Sequence, residues 1–363
     1  MTVIRPAPPH SSRRLALAFL LMIAVAITFA VRPARGGTPN LNSEMPIDHP
    51  LSVMTYNVEG LPFPARIGRG GSLAAIGERL RELRSVGRQP HIVLLQEAFS
   101  EDAAKIGALG GYRYIAEGPS RDLISTMPET AADIAFADGA SRLKGEAIGK
   151  WTGSGLRILS DYPIVGVQHM AFPAFACGGY DCLANKGAVM ALIKVPALAA
   201  PVAVVDTHLN SRHAARVSAD RSLYAYHRQV DALSAFIKAN YLPGAPLIVA
   251  GDFNIGKDKA RAAYVEQASA RWWKGAGQST LPDAMHACAA DDSCAAGLSD
   301  DARYSMKRRR DWQFLGHGGG IALDTRRIAT PFGHEADGTM LSDHVGYVAY
   351  YGINRLNSGS HAS

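Results

Sequence analysis

The chain has 363 residues, 47% of them hydrophobic, and a formal net charge of +6. Arg5, Arg13, Arg14, Arg32 and Arg35 all fall within residues 1–36, which hold no acid, so residues 37–363 carry 6 − 5 = +1. That near-neutral balance removes any general argument for nucleic-acid binding, which rests on many cationic contacts to phosphate.

Residues 15–31 are an apolar run with Arg13 and Arg14 before it and Arg32 after it. A basic head followed by an apolar run is an export signal, and Thr28-Phe29-Ala30 offers a small-x-small cleavage step. An uncleaved membrane anchor is the alternative. Residues 1–36 therefore read as a signal peptide or anchor, and 37–50, rich in Pro, Gly and Asn, as a linker. No linker or repeat divides 51–351, which reads as one domain, and 352–363 reads as a flexible tail.

The first strand, Ser52 to Asn57, ends on a polar amide. Ser72 to Val86 follows as a helix, with Ser72 placed as N-cap and Leu73, Ile76, Leu80 and Leu83 on one face. A second strand runs from Ile92 and ends on Gln96-Glu97. The stretch 118–150 is polar, Ala-rich and unassigned. Its acids (Asp122, Glu129, Asp133, Asp138, Glu146) follow no apolar strand and read as solvated. Strands at 156–159, 164–167, 188–195 and 202–206 succeed one another across short turns, which implies antiparallel pairing. The last of them leads into Asp206-Thr207-His208. A long helix spans 214–241, with Leu223, Tyr226, Val230, Leu233 and Ile237 on its core side. Next comes Ile248-Val249-Ala250-Gly251-Asp252-Phe253-Asn254, a buried strand, a glycine that lets the chain leave it closely packed, and an Asp and Asn two apart. Near the end, Leu341-Ser342-Asp343-His344 precedes a final strand at 345–348.

Polar groups at the ends of apolar strands are where a layered sheet builds its site. The order Tyr-Asn57, Gln-Glu97, Thr-His208, Gly-Asp252-x-Asn254, Ser-Asp343-His344 resembles the endonuclease/exonuclease/phosphatase superfamily, over about Leu51 to Tyr351. The resemblance implies an α+β fold: a four-layer α/β sandwich of two mainly antiparallel β-sheets flanked by helices, the DNase I-like arrangement. It also implies a Mg²⁺ (or Mn²⁺) ion held by Glu97, Asn57 and Asp343, because a phosphodiester needs a cation on its oxygens and an activated water. Asp252 would orient or deprotonate that water, and Asn254 would donate to the developing charge. His344 would act as base or phosphate donor, oriented by Asp311, while His208 would contact the phosphate or assist the leaving group. Trp312 and Gln313 depart from the family's usual sequence around Asp311.

Cys177-Gly178-Gly179 with Asn185-Lys186-Gly187 is similar to bacterial neutral sphingomyelinases, which makes Asn185 and Lys186 candidate substrate contacts and a lipid headgroup the favoured partner over nucleic acid. Lys307-Arg308-Arg309-Arg310 reads either as a solvated loop or as a contact to phosphate or an anionic surface. Trp272-Trp273 has the chemistry of a membrane-surface anchor and equally of a pair that is half core and half surface. Cys177/Cys182 and Cys288/Cys294 read as two short disulfides bracing loops, although four cysteines permit three pairings. Three functions stay open: a secreted phosphodiesterase of the sphingomyelinase-like kind, an extracellular endonuclease, and a non-catalytic binding module on the same fold.

Overall fold

A strand covered on both faces carries apolar residues on both, not only at every second position. β1 (Leu51–Asn57) and β2 (Ile92–Gln96) are buried throughout, β2 as an apolar run up to Gln96 and β1 with Ser52, Thr55 and Asn57 among its buried residues. The computed structural model describes residues 51–61, 66–196, 198–242, 244–272, 283–318 and 320–355. The expected leader, the expected linker and Trp273 lie outside these residues.

Two sheets form. One has the order β10-β11-β1-β2-β4-β3, with β3 Tyr114–Glu117, β4 Arg157–Ser160, β10 Ile321–Phe332 and β11 Gly346–Arg355. The other runs β5-β6-β7-β8-β9, with β5 Ile164–Ala171, β6 Gly187–Ile193, β7 Val202–His208, β8 Leu247–Asp252 and β9 Asp311–Gly316. The β1–β2 and β7–β8 pairs are parallel, and the other neighbours are antiparallel. β11 stays paired with β10 out to Arg355, beyond the tail boundary expected at 352.

Alternation along the strands assigns each face. Val53, Leu94, Val204 and Ile248 point into the core between the sheets. Met54, Val93 and Leu95 point outward onto α1 (Gly70–Ser85), meeting Leu73, Ile76, Leu80 and Leu83. Val205 and Val249 point the other way onto α3 (Ala219–Asn240), meeting Tyr226, Val230, Leu233 and Ile237. The result is helix, sheet, sheet, helix, as the resemblance implies.

Several local expectations change. α1 begins two residues before Ser72, so Ser72 lies inside the helix and Arg69 occupies the N-cap, its side chain bonding the Glu59, Val58 and Leu341 carbonyls instead of capping the helix. The helix expected from 214 starts after Ser218, whose hydroxyl accepts from the Arg221 N–H. The unassigned insert contains α2 (Ala131–Asp138), capped reciprocally by Thr130 and Asp133. Asp133 and Glu146 are buried rather than solvated, because Arg228 and Arg221 of α3 reach them at 2.8 and 2.6 Å. Burial works against the charge on Asp133, but hydrogen bonds from Arg228, Thr130 and Tyr224 hold it below the usual carboxylate range. Both disulfides pair as expected. Cys288 and Cys294, however, sit in the inter-sheet core rather than in a loop, carried there by α4 (Ala284–Ala290) and the turn after it. Trp272 is buried against Phe253 and Phe314, so it is a core residue and not a membrane anchor.

Gly251 has φ +138°, and a Cβ there would lie 1.9 Å from the Thr207 carbonyl oxygen on the neighbouring strand. Gly251→Ala is therefore expected to cost about 2 kcal/mol or more of stability, since both backbone strain and a strand separation follow. Chemical denaturation measures it, and an unchanged midpoint would show that β7 and β8 tolerate the added methyl.

Candidate active site

Strand register brings the polar ends together. His208 lies opposite Asp252 across β7–β8, and Asp252 lies opposite Asp311 across β8–β9. Asn57 pairs with Gln96 at the matching ends of β1 and β2, so Glu97 is the first residue past the other sheet. Glu97 leaves its strand at φ +56°, and Asn254 sits at φ +48°. Left-handed backbone at non-glycine residues is uncommon and gathers at functional sites.

Asn57 joins the two sheets. Its Nδ2 donates to Glu97 Oε1 at 3.0 Å and to Asp252 Oδ2 at 3.1 Å, while its Oδ1 accepts from the Glu59 N–H at 3.0 Å. The amide nitrogen faces the carboxylates and the oxygen faces the Glu59 N–H, so Asn57 braces the two acids. Burial raises Glu97 to about 7 against the pull of Asn57 and Lys186, and burial also raises Asp252.

His344 Nδ1 donates to Asp311 at 2.9 Å, which fixes its tautomer as expected. Burial opposes its charge, yet Asp311 and Asp252 outweigh that and lift His344 to about 9. Its Nε2 has Arg310 Nη1 at 3.3 Å and Asp252 Oδ2 at 3.7 Å. His208 differs: burial, then Lys186 and His344, push it well below its ordinary value. It is neutral, and its Nε2 accepts from Lys186 Nζ at 3.2 Å. Asp181 also holds Lys186, at 3.1 Å. Asn254 donates its backbone N–H to Asp252 Oδ1 at 3.0 Å and one amide hydrogen to the Leu209 carbonyl at 3.0 Å.

One expected residue sits elsewhere, and another stands at the mouth of the cleft. Asn185 faces away, with its amide nitrogen donating to the Ser120 and Leu123 carbonyls at 2.8 and 2.9 Å, so it fastens a loop and does not line the cleft. Asp343 lines the mouth of the cleft, half exposed, with Arg310 at 3.4 Å, Arg308 at 3.9 Å and His344 Nε2 at 4.0 Å. The cleft itself has a volume of about 660 Å³ and is lined by Glu97, Lys186, His208, Asp252, Asn254 and His344. Lys257, Lys307, Arg308 and Arg310 line it too, which places most of the Lys307–Arg310 cluster at the site. The Cys177–Cys182 bridge closes the loop that precedes Lys186.

A hard divalent cation suits Glu97, an 18%-exposed carboxylate raised by burial and open to the cleft. Asp252, Asp311 and His344 also present ligand atoms within 4.8 Å of one another, but the Asp311–His344 hydrogen bond already occupies two of the three. Sequence reasoning missed Asp181, which holds Lys186, and Asp206, whose Oδ1 accepts from Gln96 Nε2 at 2.7 Å behind the site. An acid embedded in the apolar run Val204-Val205-Asp206 was the available signal. Burial raises Asp206 well above the carboxylate range, against the hydrogen bond from Gln96.

The model of the Endonuclease/Exonuclease/phosphatase family matches residues 54–344, and the chain belongs to that family. It is an enzyme, a metal-dependent phosphoester hydrolase. Among solved structures, a doubly substituted beta toxin from Staphylococcus aureus with bound magnesium ions is similar at 19% identity and TM-score 0.56, covering 83% of this chain and 99% of that one. TDP2 of D. rerio, complexed with a single-strand DNA product, is similar at 15% identity and TM-score 0.52, covering 83% and 98%. At such identities the likeness establishes the fold. No curated protein matches the sequence.

Because the folded value of His344 lies above its ordinary 6.5, its charge stabilises the fold fully below about pH 6.5 and that contribution fades as pH rises through about 9. Asp311→Asn is expected to bring the His344 titration down toward 6.5. An NMR titration of the imidazole C–H resonances reads this directly, and a midpoint that stays near 9 would remove Asp311 as the cause.

Proposed function

We propose that this family member is an exported, Mg²⁺-dependent phosphodiesterase that acts on a phospholipid headgroup. The observation that carries the reading is the convergence of Glu97, Lys186 and the Asp311–His344 pair in one cleft, with Asp252 between the two histidines at 3.4 and 3.7 Å.

Each group has a task in displacement at phosphorus. Lys186, docked on neutral His208, presents a buried cation to a non-bridging phosphoryl oxygen. Asp252 receives a proton from, or orients, the attacking water, its own position fixed by Asn57 and the Asn254 N–H. His344 exchanges a proton at Nε2 while Asp311 keeps the other ring nitrogen protonated. Glu97 would hold the Mg²⁺, which when bound supplies charge for the phosphoryl oxygens and acidity for water. Arg308 and Arg310 neutralise Asp343 and leave donors for phosphate at the mouth.

The lipid preference draws support from the likeness of the Cys177 to Gly187 segment to bacterial neutral sphingomyelinases and from the +1 charge of residues 37–363. Export draws support from the leader at residues 1–36 and from the two disulfides, which persist in oxidising compartments. A second reading, an extracellular endonuclease, is favoured by Lys257, Lys307, Arg308 and Arg310 along one cleft.

Purified residues 37–363 with Mg²⁺ or chelator, assayed on sphingomyelin and plasmid DNA side by side, separate the readings. Chelator-sensitive phosphocholine release without nicking is the expected result, and nicking without lipid turnover would replace the lipid reading with the nuclease. Glu97→Gln is expected to lower turnover by roughly 10²–10³-fold while the fold stays intact. Full activity in that variant would remove Glu97 from the chemistry.

A further inference from the structure

The insert at 118–150 has a feature that the reaction does not use. Leu143 is 92% exposed, Ile124 84%, Trp151 64%, Tyr180 48% and Ile148 41%. An apolar side chain standing almost wholly in water is ordinary when single, but a clustered set marks an interaction surface. The backbone beneath these residues is held firmly. Buried Glu146 accepts from the Ser141 N–H at 2.6 Å, the Gly179 N–H at 2.8 Å and Arg221 Nε at 2.6 Å. The Trp151 N–H donates to the Leu183 carbonyl at 2.7 Å, and the Tyr180 hydroxyl reaches the Leu143 carbonyl at 3.4 Å. Asn185 ties Ser120 and Leu123 to the same platform. The apolar tips therefore project from a fixed base, and collapse onto the protein would require breaking those bonds.

The base is also a wall of the cleft. The segment Gly179–Leu183 carries Asp181, which lines the cleft and holds Lys186 at 3.1 Å. Whatever engages Leu143 and Tyr180 thus lies against the side of the site that delivers the phosphate-binding lysine.

We infer that this face docks on the surface of a lipid bilayer. The chemistry of the patch selects that partner. Leu143 is flanked by exposed Arg142 and Lys144, while Trp151 stands nearby, so that apolar tips can enter the acyl boundary as cations meet anionic headgroups and the indole sits at the interface. Of the acids in the insert, Asp122 pairs with Arg121 at 3.1 Å, Glu146 and Asp133 are buried under Arg221 and Arg228, and Glu129 and Asp138 are exposed. The inference rests on the phospholipid reading above and adds the surface that would hold the enzyme on its substrate.

The test is co-sedimentation of the protein with vesicles of phosphatidylcholine and phosphatidylglycerol, in chelator so that turnover plays no part. The paired variant Leu143→Ser with Trp151→Ser is compared with the parent. Both side chains are exposed, so circular dichroism and hydrolysis of the soluble diester bis(p-nitrophenyl) phosphate with Mg²⁺ should be unchanged. Vesicle binding is expected to fall roughly tenfold or more, and sphingomyelin hydrolysis in vesicles with it. Parent protein that stays in the supernatant, or a variant that binds as well as the parent, would overturn the docking surface. Binding lost in the variant without any lipid hydrolysis by the parent keeps the surface and rejects the phospholipid substrate. Lipid hydrolysis untouched by the substitutions does the reverse.

Discussion

One side-chain amide holds the reaction centre together. Asn57 ends a strand of one sheet, yet it donates to Glu97 beside it and to Asp252 of the other sheet, at 3.0 and 3.1 Å. Two buried carboxylates at such separation disfavour each other's charge, and burial raises both. The amide offsets that penalty without adding a charge of its own. It is aimed by the Glu59 N–H on its oxygen, and the carbonyl of Asn57 takes the Ser342 hydroxyl at 2.6 Å. The loop that carries Asp343 and His344 is therefore tied to the same residue.

Beneath that knot the core between the sheets is not purely apolar. Gln96 donates to Asp206 at 2.7 Å, and the Tyr351 hydroxyl donates to Gln313 at 2.7 Å. Three of these four residues lie one or two positions from a site residue: Gln96 from Glu97, Asp206 from His208, Gln313 from Asp311. Buried polar pairs are expensive when mismatched, so they favour one register strongly. A slip by one residue would turn each of these groups, and each site residue, to the wrong face. The polar seam and the reaction centre are positioned by the same strand registers.

Charge is distributed in an uneven way. Residues 37–363 sum to +1, yet Lys186, Arg212, Lys257, Lys307, Arg308 and Arg310 all line one cleft around buried acids. Fields at a concave site depend on such local arrangement and not on the total. The imidazolium of His344 belongs to this pattern, since Asp311 and Asp252 hold its proton while His208, facing Lys186, stays neutral. Two histidines a few ångströms from one carboxylate thus carry different charge because their neighbours differ.

Periodicity in the chain was enough to determine the layers. Mostly apolar runs at β1, β2, β7 and β8 pointed to strands buried on two faces, and Leu73, Ile76, Leu80 and Leu83 pointed to a helix against one of them. The polar strand ends named Glu97, His208, Asp252 and His344, because a group at the end of a buried strand has few other places to go. What remained was decided by partners distant in sequence. Asp133 is buried because Arg228, 95 residues away, meets it, and Glu146 because Arg221 does. Asn185 was drawn from the site to two backbone carbonyls, Asn57 turned its nitrogen to the acids, and Cys288–Cys294 entered the core. Backbone preference and hydrophobic spacing are local and can be read along the chain. The direction in which a polar side chain donates, and the charge it then carries, depends on groups that only folding brings within 3 to 4 Å.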